Sequence, residues 1–338
     1  MTVRGPALLA LSLVFLAATP PVAVESQLAP HSREAFVMGT RVSLTTYAES
    51  RADGLQRLER MLEAIEGTDA ELSTWRPDSD VSRLNAAAGD GPQPLTPTMC
   101  RVMSDVGRQV VETGGAFDPA IGSLVQAWDL HGGGRVAAGS ELARARAHSG
   151  WHRLSLDRER CTLAQPFGAS IDSGGFGKGE ALDRVRDGLG EAGVWLIDFG
   201  GQLAVSGVPP GLDGWPVTIA HPHIRTKPAV SLNLTGGSLA TSAGSERDLR
   251  VDGMRVGHIL DPRTGTPAPF EGAVTVWSDR ALVADALSTA LHVLGPDAGI
   301  RWADVHDVAA LFLDVDADGT LRRRPSQAFA RRFGSSVA

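Results

Sequence analysis

The pattern Ile-Asp-x-Gly-Gly occurs twice, at Ile171-Asp172-Ser173-Gly174-Gly175 and at Ile197-Asp198-Phe199-Gly200-Gly201. Ala169 to Asp172 and Val194 to Asp198 read as strands, and Lys178 to Leu189 between them reads as a helix, so the segment predicts a βαβ unit. If the two strands are parallel neighbours, both carboxylates and both glycine pairs fall along one carboxyl edge, where α/β sheets hold ligands. Such a unit demands a layered α/β arrangement.

The rest of the chain supplies the layers. Phe36 to Tyr47 alternates as a strand, and Leu55, Leu58, Met61, Leu62 and Ile65 then recur at helical spacing. Residues 75–97 carry several Pro, Asp, Asn and Gly and read as loop. A helix is expected from Pro97 to Thr113, stopped by Gly114-Gly115, then a turn at Asp118-Pro119, an apolar segment to Trp128 and a Gly-rich connection from His131 to Gly134. Short strand-like runs at 203–206, 216–220, 229–234, 255–260 and 273–277 imply an antiparallel portion. A long helix from Arg280 to Leu294 and a strand from Val308 to Val315 follow, and the Arg-rich tail after Arg322 reads as a solvated end.

With 43% hydrophobic residues in 338, the chain can bury a large core, which excludes a disordered or fibrous protein and is read as one domain over 25–338. The 32 basic and 39 acidic residues give a net charge of -7 with no Lys/Arg-rich run, so electrostatic nucleic-acid binding lacks its footprint. Residues 1–24 read as a signal peptide or uncleaved N-terminal anchor: Arg4 precedes an apolar stretch from Ala7 to Ala18, broken by Thr19-Pro20-Pro21, and no clean cleavage site follows. Two cysteines of an exported chain can pair, but Cys100 sits in a helical pattern and Cys161 in a strand-like one, so they are not expected to. No third ligand of matching spacing supports a zinc or iron–sulfur site.

Several residues invite chemistry. Gly174, Gly175, Gly177 and Gly179 would let backbone amides approach an anion at a helix start, or would simply make a tight turn; neither a Walker loop nor Gly-x-Gly-x-x-Gly fits. Lys178 in that loop stands out because Lys178 and Lys227 are the only lysines, which suggests a need for a compact ammonium. Asp285 and Thr289, four apart on an apolar helix, present oxygens on one face; a buried carboxylate needs a cation, and hard oxygen donors suit Mg²⁺, the alternative being a narrow solvated stripe. His258, on the strand Arg255 to Leu260 before Asp261-Pro262, is a structural histidine or a general base. Thr241-Ser242-Ala243-Gly244-Ser245 reads as a polar loop, and Trp75 as a packing lid or a stacking surface for a planar ring.

Taken together, Met38-Gly39-Thr40, Ser73-Thr74-Trp75-Arg76-Pro77-Asp78-Ser79-Asp80 with Ser82-Arg83-Leu84-Asn85, Gly114 to Pro119, Asp172 to Gly179, Gly200-Gly201, Thr241-Ser242, His258 to Gly265 and Ala284 to Leu291 resemble, in order and spacing, the FAD:protein FMN transferase (ApbE) family. The likeness runs from about Phe36 to Gly295. It implies a two-lobed T-fold-like α/β (α+β) protein with mixed and antiparallel sheet and FAD in a cleft between the lobes. The activity implied is cleavage of the FAD pyrophosphate, release of AMP and attachment of FMN through a phosphoester to a Thr or Ser of an acceptor redox protein. By the same resemblance Met38, Trp75, Ala116, Phe117, Asp118, Asp172, Lys178, His258 and Ile259 would contact FAD, with His258 the base, and Mg²⁺ would be held by the Gly175 carbonyl, Asp285 and Thr289 with Ser288 nearby. The chain departs from the family at Glu180, where an aromatic is usual and the pocket wall is altered, at Gln202, where Asp is usual, and at Ser245-Glu246, where an aromatic is missing. An FAD pyrophosphatase and an exported flavin-binding module are the alternative functions. The leader-like segment implies a periplasmic location or the periplasmic face of the inner membrane.

Overall fold

The computed structural model describes residues 28–334, apart from 191–192, 245–247 and 252–253. The segment expected as one strand is a hairpin of β1 (Ala29–Val37) and β2 (Thr40–Ala48). Its turn, Met38-Gly39, has φ of 49° and 69°, the left-handed pair that a tight two-residue hairpin requires. Next comes α1 (Arg51–Leu72), whose first turn is capped by Ser50 Oγ accepting from Asp53 N at 3.1 Å. It buries Leu58, Met61, Leu62 and Ile65 as the spacing requires, whereas Leu55 lies exposed.

Residues 75–97 are more ordered than their composition suggests. Ser79 caps α2 (Asp80–Ala86), and β3 (Pro92–Pro94) precedes α3 (Pro97–Glu112), which is capped by Thr96 with a proline in its first turn. Then follow α4 (Gly122–Ala127), α5 (Gly139–His148), β4 (Ser155–Asp157) and β5 (Thr162–Ala164), the two strands joining β3 in a small sheet of order β3-β5-β4.

That sheet overturns the expectation for the cysteines. Pro94 pairs with Thr162, which lays Cys161 beside the start of α3, and Cys100 and Cys161 form a disulfide with a Cα–Cα separation of 5.4 Å. Cys100 does lie in a helix, but Cys161 stands at φ 48° in the turn just before β5, where it can face the first turns of α3. Because the bond closes a sequence separation of 61 residues, replacing both cysteines by serine is expected to lower stability by about 4 kcal/mol. Urea unfolding of the oxidised protein against the double variant measures this, and equal midpoints would contradict it.

The remaining elements are α6 (Gly177–Leu189), β6 (Val194–Phe199), β7 (Gln202–Ser206), β8 (Trp215–Ala220), β9 (Pro228–Leu234), β10 (Gly237–Ala243), β11 (Leu249–Val251), β12 (Met254–Val256), β13 (Leu260–Asp261), β14 (Thr266–Pro267), β15 (Ala273–Ser278), α7 (Ala281–Val305), β16 (Ala309–Val315), β17 (Leu321–Pro325) and α8 (Gln327–Phe333). The main sheet has eight strands in the order β1-β2-β6-β7-β10-β15-β16-β17, and every pairing among the described residues is antiparallel. The parallel βαβ unit is therefore not formed. Ala169 to Asp172 lies in no strand, and Gly200 and Gly201, at φ 58° and 91°, reverse the chain directly from β6 into β7. The second Ile-Asp-x-Gly-Gly is a hairpin turn, while the first leads into a helix, so their carboxylates share no sheet edge.

Alternation along β15 and β16 explains their largely apolar runs. Val274, Val276, Ala310 and Phe312 pack with Leu287 and Leu291 of α7, whereas Ala273, Ala309, Leu311 and Leu313 pack with the β8–β9 hairpin and Phe329 of α8. Both faces are buried, so most residues are apolar, and the polar Thr275 meets Thr241 Oγ1 on the neighbouring strand. The Arg-rich tail is likewise built in: β17 pairs with β16, and Ser326 caps α8 while accepting from Ala310 N at 3.0 Å. The helix expected to end at Leu294 does turn there, with Gly295 at φ 71° before Pro296, and resumes to Val305. A second packed region unites α2, α3 and the opposite side of α7 through Leu84, Met103, Phe117, Phe176, Leu282 and Ala286. Together these regions make the two-lobed α/β arrangement, with α7 between them.

Candidate active site

Two helix starts face one another and cap each other. The amide of Gly179, in the first turn of α6, donates to Asp285 Oδ2 at 3.0 Å, and Lys178 Nζ lies 3.2 and 3.4 Å from the two oxygens of the same carboxylate. In return Asp183 of α6 accepts from Ala281 N at 2.8 Å and Leu282 N at 3.0 Å, satisfying the first amides of α7, and pairs with Arg280. Glycine is required at 179, where a Cβ would collide with the Ala281 carbonyl and the Leu282 backbone. The cation that buried Asp285 needs, with 4% of its surface exposed, is thus Lys178.

Hydroxyls gather on the next turns of α7. Ser288 Oγ donates to the Asp285 carbonyl at 2.9 Å and shares a 2.8 Å hydrogen bond with Ser242 Oγ, while Thr289 Oγ1 lies 3.3 Å from the Asp285 carbonyl. Ser242 belongs to β10, not to a loop; its neighbour Thr241 faces Thr275 across the sheet, Oγ1 to Oγ1 at 2.8 Å, and Ser245 lies outside the described residues. Gly175 closes the group: a Cβ there would meet Phe117 Cε2 at 3.1 Å and Thr289 Oγ1 at 3.3 Å. One carboxylate, neutral hydroxyls and a backbone kept free of a side chain form a hard-oxygen donor set, which fits a divalent cation that leans on substrate phosphates for further ligands.

The expected ligand contacts cluster around this centre unevenly. Met38, on the hairpin turn, reaches the start of α6, where a Cβ on Gly177 would lie 3.2 Å from Met38 Cε. Asp172 Oδ1 accepts from Gly174 N at 2.9 Å, and its Oδ2 lies 3.5 Å from Thr74 Oγ1 and 3.2 Å from His131 Nε2. Trp75 is 67% exposed and lies against His131 with ring centroids 4.4 Å apart and planes tilted by 32°. Ala116 and Phe117 are buried in the core behind Gly175. The Asp118 carboxylate is occupied by Ala120 N and Trp151 N, both at 2.8 Å, and burial raises its pKa above the ordinary value against the pull of those donors. Ala116, Phe117 and Asp118 are thus all nearly closed to solvent.

His258 lies between β12 and β13 in a bend, not on a continuous strand. Its Nδ1 is 3.0 Å from Asp248 Oδ1, which also accepts the His258 amide at 3.1 Å. With Nδ1 so engaged, proton acceptance falls to Nε2, the arrangement of a base with its orienter. Ile259 packs against the core containing Phe117, Phe176 and Ala286, tying this bend to the floor beneath Asp285. After it, burial pushes the Asp261 pKa up but its bonds to Arg263 outweigh this and hold it below the ordinary value, fixing the turn to Gly265.

Glu180 takes no part in a pocket wall. It is fully buried, accepting from Arg184 Nε at 2.8 Å and from Arg101 of α3, and so joins α6 to its neighbours. Gln202 is buried too, donating to the Ala281 carbonyl at 2.8 Å and thereby holding the start of α7 against the sheet. Asp248, His131 and Asp183 escaped the sequence reading. Two surface cavities, of about 490 Å³ beside β9 and α8 and about 320 Å³ between α2 and the start of α3, include none of the candidate residues. Among the described residues no group of three or more His, Cys, Asp or Glu is arranged to hold a metal, and no helix is long and apolar enough to cross a membrane.

A buried carboxylate–lysine pair at a glycine-rich helix start, hydroxyl donors beside it and an oriented histidine are an arrangement compatible with phosphoryl chemistry. The model of the ApbE family matches residues 38–312, and the chain belongs to that family. An FAD:protein FMN transferase of Chlamydia trachomatis is 29% identical over 273 residues, 78% of this chain and 84% of that protein. Another from Klebsiella pneumoniae is 31% identical over 296 residues, covering 85% and 90%. The apo form of Pseudomonas stutzeri flavinyl transferase ApbE superposes with a TM-score of 0.82 at 29% identity over 91% of this chain and 98% of that one.

Proposed function

We propose that the chain is an Mg²⁺-dependent FAD:protein FMN transferase that attaches FMN to a Thr or Ser hydroxyl of an exported acceptor redox protein and releases AMP. The observation that carries this reading is the crossed capping of α6 and α7, which holds Lys178 and Asp285 together with Ser288, Thr289 and the open backbone at Gly175. The names of the relatives support the transferase chemistry. Asp285, Thr289 and the Gly175 carbonyl, with Ser288 nearby, would hold Mg²⁺, which when bound offsets the charge of the pyrophosphate. Lys178, paired with Asp285, would neutralise a phosphate oxygen, and Met38, Trp75, Ala116, Phe117, Asp118, Asp172 and Ile259 would hold FAD. The acceptor hydroxyl forms a bond to the FMN phosphorus, the pyrophosphate P–O bond breaks, AMP leaves, and the hydroxyl proton passes to His258 Nε2.

The leader-like residues 1–24, outside the described residues, support delivery to the periplasm or its membrane face. Incubation with FAD, Mg²⁺ and an acceptor domain bearing a Ser or Thr site should give a fluorescent flavin band on a denaturing gel in step with AMP release. AMP release with no flavin on the acceptor would assign the site to hydrolysis instead, and FAD binding without AMP would assign it to flavin carriage.

A further inference from the structure

We propose that His131 is a positioning residue of the FAD site, bracing both Asp172 and Trp75; this rests on the FAD reading above. The Asp172 carboxylate joins three segments: Gly174 N on the glycine loop bonds to Oδ1, while Thr74 Oγ1 and His131 Nε2 approach Oδ2 at 3.5 and 3.2 Å. The imidazole also lies against the Trp75 indole, with ring centroids 4.4 Å apart and planes tilted by 32°. Trp75 sits in a turn outside any helix or strand and is 67% exposed, so without a backing ring its indole would have to be ordered by the ligand itself. One histidine therefore supplies an aromatic face to the tryptophan and a ring nitrogen to the carboxylate.

Its own backbone is well placed for this. His131 stands on the turn that ends α4, where Leu130 N donates to the Val125 carbonyl at 3.0 Å. Asp129, at φ 51°, accepts from Gly132 N and Gly134 N at its carbonyl, at 3.0 and 3.1 Å, and from Gly133 N at Oδ2, at 3.2 Å. A glycine-rich stretch that looks slack in sequence is thus wound around one aspartate, and it presents His131 from a fixed base.

Three variants separate the two contacts. His131→Phe keeps a ring without a nitrogen, His131→Gln keeps an N–H donor without a ring, and His131→Ala keeps neither. Calorimetric titration with FAD should show binding weakened on the order of tenfold in His131→Ala, with each of the other two recovering part of the loss. Steady-state AMP release should show KM rising in parallel while kcat stays within about twofold. A wild-type protein that binds FAD and a His131→Ala variant that binds it equally would overturn the positioning role and leave the transferase reading intact. A wild-type protein that binds no FAD would overturn that reading itself. A fall in kcat at unchanged KM would place His131 in the chemistry and also overturn the proposal. Should His131→Ala unfold in a melting experiment, the Phe and Gln variants decide by the same measurements, since affinity equal to wild type in both would overturn it.

Discussion

Asp285→Ala is expected to abolish AMP release and flavin transfer at Mg²⁺ concentrations that saturate the wild type, a loss of at least about 10²-fold, on the scale of removing one electrostatic stabiliser. The carboxylate serves the proposed metal, Lys178 and the Gly179 amide together, so the alanine variant also strands a lysine in a nearly closed site. Breaking a buried pair costs up to about 3–5 kcal/mol, reduced here because Lys178 keeps some solvent contact. Asp285→Asn separates the two effects in part: its amide oxygen can still accept from Gly179 N but no longer balances the Lys178 charge, so it should melt between wild type and Asp285→Ala while activity is lost. Thr289→Ala should be milder, since a neutral hydroxyl attracts a cation less than a carboxylate does. Near-normal turnover in a folded Asp285→Asn enzyme would remove Asp285 from the metal site.

The distinction between charge and scaffold at Asp285 also explains what the sequence could reveal. Four residues from Thr289 on an apolar helix, Asp285 was visible as a functional candidate because helical spacing is a local property. Its partner was not, because Lys178 lies 107 positions away and the pairing depends on how α6 meets α7. The same limit applies to Asp183 and Asp248, carboxylates whose significance comes from the amides and the imidazole brought to them. Local signals carried α1, α3 and α7 well, since each has a cap or an apolar stripe within one window.

Strand direction was less legible. An Ile-Asp-x-Gly-Gly run suits a strand-to-helix loop and a hairpin equally, and only φ near 58° and 91° at Gly200 and Gly201 makes the second one a reversal. Met38-Gly39 hid a hairpin because Phe36, Met38, Val42 and Leu44 mimic one continuous alternation, whereas the two-residue turn pairs Val37 with Thr40 and moves the inward face from odd to even positions, leaving Phe36 exposed. Glu180 was misplaced for a different reason. A charged residue in a ligand-binding motif reads as exposed unless its neutralising arginines are known, and Arg101 is contributed by another helix.

His258→Ala is expected to slow flavin transfer by about 10²- to 10⁴-fold, the range that a positioned general base supplies, with FAD affinity little changed. A Thr or Ser hydroxyl is a weak nucleophile near neutral pH, and in the proposed mechanism His258 would take its proton, its ring held by Asp248 at Nδ1 (3.0 Å) and at the His258 amide (3.1 Å). The dual contact makes a second, graded expectation. In Asp248→Asn the hydrogen-bond frame can survive while the charge that steadies a protonated imidazole is gone, so its rate should fall between wild type and His258→Ala. Single-turnover transfer with FAD prebound isolates this step from binding and product release. If His258→Ala transfers at the wild-type rate, the proton goes elsewhere, and Asp172 becomes the next carboxylate to test. If instead the variant no longer binds FAD, the histidine is a ligand contact, consistent with Ile259 beside it packing into the floor of the site. A loss of rate at intact affinity, with Asp248→Asn intermediate, is the pattern that only a base and its orienter produce.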